Sequence, residues 1–372
     1  MKGMANKKYS NLIDQLLDKN IAFAAWFFPG EADAGLLAAN PEDVVFLKQF
    51  NQLNGEKGFV FAPFRITETS PVILLKPGFL AVNIQEIDKL DITKLRPFKV
   101  ENEQKKPYLF LSKEEYLNII ENTVSEIRNG ALSKVIISRR IPVSREDNLL
   151  GETFLKLKAQ TPNAFCYLVN LPAAGTWMGA TPEILLRSEG DNYETVSLAG
   201  TQVRHADSDY AWHTKDIEEQ AFVSRYMLDV FHRFNIDRYK TKGPDTMESG
   251  KVAHLTTSFY FQAEKINHCL GDFIADLHPT PAVCGLPKDL ADDFIRLHEK
   301  HHRKYYTGYL GPWRLNNEVR LFVNLRCMEV LPEQFVLYVG GGITAKSVPE
   351  QEWEETIQKA RTLLSVLQTE TE

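Results

Sequence analysis

The chain is poor in the features that mark several large protein classes. It has only four cysteines in 372 residues, Cys166, Cys269, Cys284 and Cys327, with no C-x-x-C pair among them. That spacing suggests neither a zinc site nor a disulfide framework. It fits reduced, mostly buried thiols and a cytoplasmic setting. Long hydrophobic runs are missing too. The longest, Ile21 to Phe28, stops at Pro29-Gly30 and is too short to span a bilayer. Met1 to Asn20 carries lysines but no apolar stretch of signal-peptide type, so no leader and no membrane partner are expected. The net charge is -6. The basic stretches, Lys105-Lys106 and His301 to Lys304, are small, so no nucleic-acid partner is expected. No internal repeat or low-complexity tract appears.

What the chain does have is 44% apolar content, enough for one large domain or two ordinary ones. Helices are expected at Tyr9 to Lys19, Ser112 to Asn129, Thr153 to Gln160, Lys215 to Phe234, Lys288 to Lys300 and Glu350 to Leu367. Ser112 with Glu115 reads as a capping box, and Gly130 as a terminator. Strands are expected at Ile21 to Phe28, Phe59 to Ala62, Pro71 to Leu75, Lys134 to Ser138, Ala164 to Asn170, Thr176 to Gly179, Ile184 to Arg187, Thr195 to Leu198 and Ala253 to Phe261. Glu318 to Val330 and Gln334 to Val339 read as a hairpin. Strands grouped in antiparallel-looking sets between helices argue for an α+β fold. The polar stretch Glu101 to Lys106 reads as a loop, dividing a variable N-terminal part (1–105) from the remaining residues, 106–372.

Two acid pairs stand out. Asp216 and Glu219 lie on one predicted helix, Glu352 and Glu355 on another. The i,i+3 spacing puts each pair on one helix face, and Lys359 joins the second face. If the helices met across a cleft, they would offer oxygens suited to a hard cation such as Mg2+. On spacing alone, solvated surface acids are the commoner outcome.

Six strings change that balance: L-S-K-V-I-I-S-R-R (132–140), M-G-A-T-P-E-I-L-L-R (178–187), L-A-G-T (198–201), L-H-P-T-P-A-V-C-G (277–285), Y-T-G-Y-L-G (306–311) and Y-V-G-G-G-I (338–343). In this order they resemble the chorismate-utilising enzymes, a family that includes isochorismate and salicylate synthases and the first components of anthranilate and aminodeoxychorismate synthase. The match covers about residues 112–367. The resemblance implies a single large α+β domain of two stacked, mostly antiparallel sheets flanked by helices. It also implies Mg2+ as cofactor and chorismate as substrate.

Chorismate is a dicarboxylate, and the family's first step adds a nucleophile at C2 and expels the C4 hydroxyl. That step needs a base for the nucleophile and an acid for the leaving group. The resemblance makes Lys134 the candidate base. It can serve only if desolvation or a nearby cation lowers its pKa, and an exposed lysine at a strand start is the bland alternative. Glu183 is the candidate acid; apolar neighbours would keep it protonated, and a turn glutamate after Pro182 is the bland alternative. Asp216, Glu219, Glu352 and Glu355 become the metal acids, with Glu219 and Glu355 the direct ligands and the other two acting through water. Arg326 and Tyr306 are expected at the enolpyruvyl carboxylate, with a strand-edge salt bridge the alternative for Arg326. Lys359 is expected near the ring carboxylate. Gly340, Gly341 and Gly342 would bring backbone N–H groups near a carboxylate; they are not a nucleotide loop, because no Gly-Lys-Ser/Thr follows. Gly200 and Thr201 are expected at the pocket floor, with His254 and Ala282 beside the substrate. His278 is expected to be structural. One departure is local: the family often has Arg-Gly before Tyr-x-Gly, and this chain has Arg303-Lys304-Tyr305-Tyr306.

Within the family, lysine at 134 favours water over ammonia as nucleophile. Ala199 replaces the lysine of aminodeoxychorismate synthases, and no glutaminase subunit is expected. Salicylate synthases tend to carry threonine near Ala282, so the expected product is isochorismate, with salicylate as the alternative. A non-catalytic chorismate-binding paralogue is the alternative from another class. A monomer or weak homodimer is expected. Menaquinone synthesis is the expected use, with siderophore synthesis the other.

Overall fold

The computed structural model describes residues 2–99, 108–145, 149–203, 210–249 and 252–367. The loop expected at Glu101 to Lys106 lies outside these residues. The N-terminal part supplies α1 (Lys2–Asp18), β1 (Ala22–Phe27), β2 (Ala34–Ala39), β3 (Val44–Leu47), β4 (Gly58–Ala62), β5 (Val72–Leu75), β6 (Phe79–Ala81) and α2 (Ile84–Ile87). Then come α3 (Lys113–Arg128), β7 (Lys134–Ser144), α4 (Leu150–Gln160), β8 (Phe165–Leu171), β9 (Gly175–Thr181), β10 (Ile184–Glu189) and β11 (Asn192–Val203). They are followed by α5 (Thr214–Arg233), β12 (Tyr239–Ser249), β13 (Val252–Gln262), α6 (Leu270–Leu277), β14 (Gly285–Leu286) and α7 (Lys288–His298). Last come β15 (Tyr309–Trp313), β16 (Arg320–Val323), β17 (Cys327–Val330), β18 (Gln334–Ile343) and α8 (Pro349–Leu367).

The strands form two nine-stranded sheets. The first runs β14-β7-β18-β17-β9-β8-β1-β2-β6, the second β12-β13-β11-β10-β16-β15-β4-β5-β3. Every described pairing is antiparallel. The N-terminal residues thread through both sheets, β1, β2 and β6 in the first and β3 to β5 in the second.

Burial on both faces explains the unbroken apolar strands. On β1, Phe23, Ala25 and Phe27 join α1, α4 and α8 in an outer core. Ala22, Ala24 and Trp26 face inward, among residues of the second sheet. Aromatic rings fill the space between sheets: Phe165 stacks on Phe322 at 4.2 Å, and Phe61 lies 6.2 Å from Trp177. Helices α5 and α6 cover the far face of the second sheet. Among the described residues no helix is long and apolar enough to cross a membrane. The capping box of α3 is in place: Ser112 N donates to Glu115 (2.9 Å) and Glu115 N donates to the Ser112 hydroxyl (3.2 Å).

One expectation needs correcting. Glu318 to Val330 is not one arm of a hairpin. Strand β16 ends at Val323 in the second sheet, and β17 begins at Cys327 in the first, where β17 pairs with β18. Asn324 makes the crossing: its side chain accepts from the Tyr167 hydroxyl (2.6 Å) and donates to Tyr305 O (2.9 Å). Arg326 takes a left-handed φ of +46° there. Buried polar groups with fixed partners pin the turn, and the flanking apolar runs hide it.

Candidate active site

Two sheet crossings lie side by side. The outward crossing follows β9 through Pro182 and Glu183; the return is residues 324–326. Thr181 Oγ1 donates to Val323 O (2.6 Å), Val323 N to Glu183 O (2.9 Å) and Ala180 N to Arg326 O (3.1 Å). A third segment joins them: Thr307 N donates to Asn324 O and Asn324 N to Gly308 O, both at 2.8 Å. Glu183, Arg326 and Tyr306 are thereby carried by neighbouring backbone.

Glu183 is only 6% exposed. Burial pushes its carboxyl up to about 7, against the opposing pull of Lys134, Lys359 and Arg326. Lys134 opens β7, is buried, and its ammonium is paired with the Glu219 carboxylate of α5. The exposed-lysine alternative is therefore removed. The pairing also means that the expected base and an expected metal acid hold each other.

Strand β18 runs beside β7 and carries the three glycines. A methyl group on Gly342 would sit 2.9 Å from Lys134 Cε, one on Gly341 2.9 Å from Glu352 Oε2, and one on Gly340 3.0 Å from the Tyr306 hydroxyl. The run therefore makes room for three site side chains, a role beyond the N–H approach expected from the sequence. Helix α8 packs over it. Lys359 Nζ bonds Glu355 (2.7 Å) and Gly340 O (2.9 Å). Lys359 holds the Glu355 carboxyl below its usual range, against burial and the neighbouring Glu219. Glu352 is buried. Asp216, in the first turn of α5, accepts from His213 N (3.1 Å).

These carboxylates are the hard oxygen donors that Mg2+ takes. Among the described residues, however, no three acid, histidine or cysteine groups stand together as a metal cage. Mg2+ is commonly held by one or two carboxylates plus substrate oxygens and water, so the donor set fits the ion without a closed cage.

On the far wall, the β11–β13 register slips between Ala199 and Gln202, with Gly200 at φ +68°. A methyl there would meet Asp216 Cβ at 3.2 Å. His254 Nδ1 lies 3.1 Å from Gly200 O, and burial pushes the ring down to about 4. Neutral at pH 7, it donates Nδ1–H to that carbonyl. The expectation for Thr201 rests on a side chain outside those described. Burial lowers the Arg326 guanidinium, with Glu183 opposing. Tyr306 is buried against Tyr338, rings 5.5 Å apart, and its phenol is pushed up by burial. Ala282 sits in the segment entering β14, whose Leu286 pairs with Lys134. His278 Nε2 lies 3.2 Å from both Pro63 O and Phe64 O, and burial pushes it down to about 3, which makes it a structural histidine.

The sequence reading gave no site role to Arg303, in the small basic stretch His301 to Lys304, or to Glu299 just before it; both are buried. At the family's glycine position, Lys304 adopts φ +51° and ties its ammonium to Glu329 (2.9 Å) and Tyr108 (2.7 Å).

Residues 27–368 match the family model described as "Chorismate binding enzyme". The chain belongs to the chorismate-binding enzymes. The vibriobactin-specific isochorismate synthase of Vibrio cholerae is 30% identical over 263 residues, 68% of this chain and 67% of that one. The solved structure of a putative 2,3-dihydroxybenzoate-specific isochorismate synthase from Bacillus anthracis superposes with a TM-score of 0.76 at 23% identity, covering 96% of this chain and 99% of that one. The menaquinone-specific isochorismate synthase MenF of Escherichia coli gives 0.72 at 21% identity, with 94% and 89% covered. At those identities the two structures establish the α+β fold.

Proposed function

We propose that this chorismate-binding enzyme converts chorismate to isochorismate, reversibly and with Mg2+. The observation that carries the reading is the pair Lys134 and Glu183: both buried, electrostatically coupled, with the Glu183 carboxyl at about 7. An acid with that value keeps a substantial protonated fraction near neutral pH and can still give up its proton. The V. cholerae relative's activity supports the same reading.

In the proposed reaction, Lys134 leaves its ion pair with Glu219, gives up its ammonium proton to solvent, and takes a proton from water as the oxygen bonds to C2. Glu183 gives its proton to the C4 hydroxyl, which leaves as water, and the ring double bonds shift between. One water enters and one departs, so the net change is an isomerisation. Arg326 and Tyr306 hold the enolpyruvyl carboxylate. Lys359 and the acids Asp216, Glu219, Glu352 and Glu355 surround the ring carboxylate. When bound, Mg2+ would neutralise that carboxylate and orient the ring. Use in menaquinone synthesis is the pathway we favour.

The test is incubation with chorismate, with and without Mg2+, and chromatography of the products. Isochorismate formed only with Mg2+ supports the proposal. Salicylate with pyruvate, and no added lyase, would replace it with the salicylate synthase reading.

A further inference from the structure

The stretch 298–304 conceals an ion pair in which the side chains of Glu299 and Arg303 are each 2% exposed. Arg303 binds both carboxylate oxygens of Glu299, Nε to Oε2 at 2.8 Å and Nη2 to Oε1 at 2.6 Å. Glu299 also accepts from Ser138 N (2.7 Å) and Ser138 Oγ (2.8 Å) on β7. The remaining guanidinium donors reach two backbone carbonyls and a hydroxyl: Nη2 to Ile136 O (2.7 Å), Nη1 to Val283 O (2.8 Å) and, more distantly, Nη1 to Thr307 Oγ1 (3.3 Å).

Those two carbonyls lie where the sheet runs out. Strand β14 pairs with β7 only at Gly285 with Val135 and Leu286 with Lys134, and Ile136 N then donates to Cys284 O (2.8 Å). Past that bond the guanidinium spans the gap that a further strand residue would have closed. Its central carbon, Cζ, lies over the Phe64 ring, 4.5 Å from the ring centre. A planar fork can serve both carbonyls and the carboxylate together; a lysine ammonium cannot.

We propose that Arg303, oriented by Glu299, is a positioning residue. It clips segment 282–284 to β7 and so fixes Lys134 relative to the pocket wall at Ala282. The catalytic arm of the test rests on the isochorismate synthase reading; the backbone arm does not. Arg303 reaches the return crossing that carries Arg326 only at one remove, through the longer bond to Thr307 (3.3 Å), whose N donates to Asn324 O (2.8 Å), whereas its bonds to Ile136 O (2.7 Å) and Val283 O (2.8 Å) bear directly on the Lys134 side. Loss of the clip should therefore fall on kcat more than on KM.

The experiment compares the full-length wild type with R303K, and with E299Q as the second variant should R303K fail to fold. Each is measured for kcat and KM on chorismate and for amide hydrogen exchange by mass spectrometry. We expect R303K to lower kcat at least about tenfold, a scale reached by small misplacements of catalytic groups, with KM within about threefold. Exchange should speed up in peptides 132–140 and 278–286 and stay as in wild type across 22–39. E299Q should move the same quantities in the same direction, by less. Wild-type exchange in both peptides would overturn the proposal, as would faster exchange spread equally over 22–39, or a wild-type kcat in a variant with loosened peptides. If the wild type makes no isochorismate, the functional reading fails, and the exchange pattern alone decides on the clip.

Discussion

Replacing Glu183 with Gln keeps the shape of the side chain and removes its proton. Burial lifts the Glu183 carboxyl from 4.5 to about 7, so the folded chain holds that proton more tightly than the unfolded chain. Below pH 4.5 the group is protonated in both states. Between 4.5 and about 7 the unfolded state ionises first, and stability falls as pH rises; above that the loss is complete. At about 1.36 kcal/mol per unit, the full loss is about 3 kcal/mol. Glutamine carries no such dependence. The unfolding free energy of E183Q minus that of wild type should therefore rise by about 3 kcal/mol between about pH 4.5 and pH 8, read from urea melts at a series of pH values. The same variant should form isochorismate about 10²–10⁴-fold more slowly, the usual contribution of a positioned acid. The wild-type rate should decline as pH rises through about 7. Parallel stability profiles would refute the claim that the protein holds this carboxyl protonated. A fully active E183Q would refute its role as the acid.

Other variants test the neighbouring groups. Lys134→Ala should slow isochorismate formation by about 10²–10⁴-fold, assayed by chromatography, and near-normal activity would remove it as the base. Gly341→Ala places a methyl 2.9 Å from Glu352 Oε2 and should raise severalfold the Mg2+ concentration needed for half-maximal rate; an unchanged metal titration would separate Glu352 from the metal. Lys304→Gly relieves a left-handed φ, worth about 1 kcal/mol, but strips the ion-pair partner from Glu329, at a cost of about 3–5 kcal/mol. Its melting temperature should fall, and Glu329→Gln added to it should restore most of the loss. Calorimetry should find chorismate binding at least about tenfold weaker without Mg2+, a coupling of ordinary size; equal affinity would detach the metal from the substrate.

The sequence revealed periodicity and hid partners. Strand β1 was legible because Phe23 to Phe27 is buried on both faces, leaving an unbroken apolar run. The crossing at 324–326 was not, because Asn324 and Arg326 look like ordinary polar positions along a strand. What sets Asn324 apart is a hydrogen bond from Tyr167, 157 positions away, and what sets Arg326 apart is its left-handed φ of +46°. The acid pairs showed a shared helix face, but nothing in their spacing reveals that Lys134, 85 positions before Glu219, is its counter-ion. Arg303 was hidden for a related reason. Its partner Glu299 stands four residues earlier in a run of charged residues, a pattern that ordinarily marks solvent. Strands β2 and β12 carry too little alternation or apolar content to announce themselves, and sheet neighbours supply their pairing.

Charge explains why the proposed site needs its acids. Lys134, Lys359 and Arg326 are three cations suited to a dicarboxylate, yet Glu219 and Glu355 already engage the two lysines. With Glu183 protonated, the four proposed metal acids, counted as carboxylates, outnumber the three cations by one negative charge. A dianionic substrate alone would deepen that excess to three in a buried setting, where like charges repel strongly. A dianion arriving with a divalent cation leaves the excess at one. Four acids at an anion site are unfavourable for the substrate alone and favourable for the substrate with its metal. Competition from the metal for Glu219 and Glu355 would then turn both lysines toward the new charge. On the proposed reading, the acid pairs would thus work as a condition on the substrate, favouring its entry with the ion that balances it.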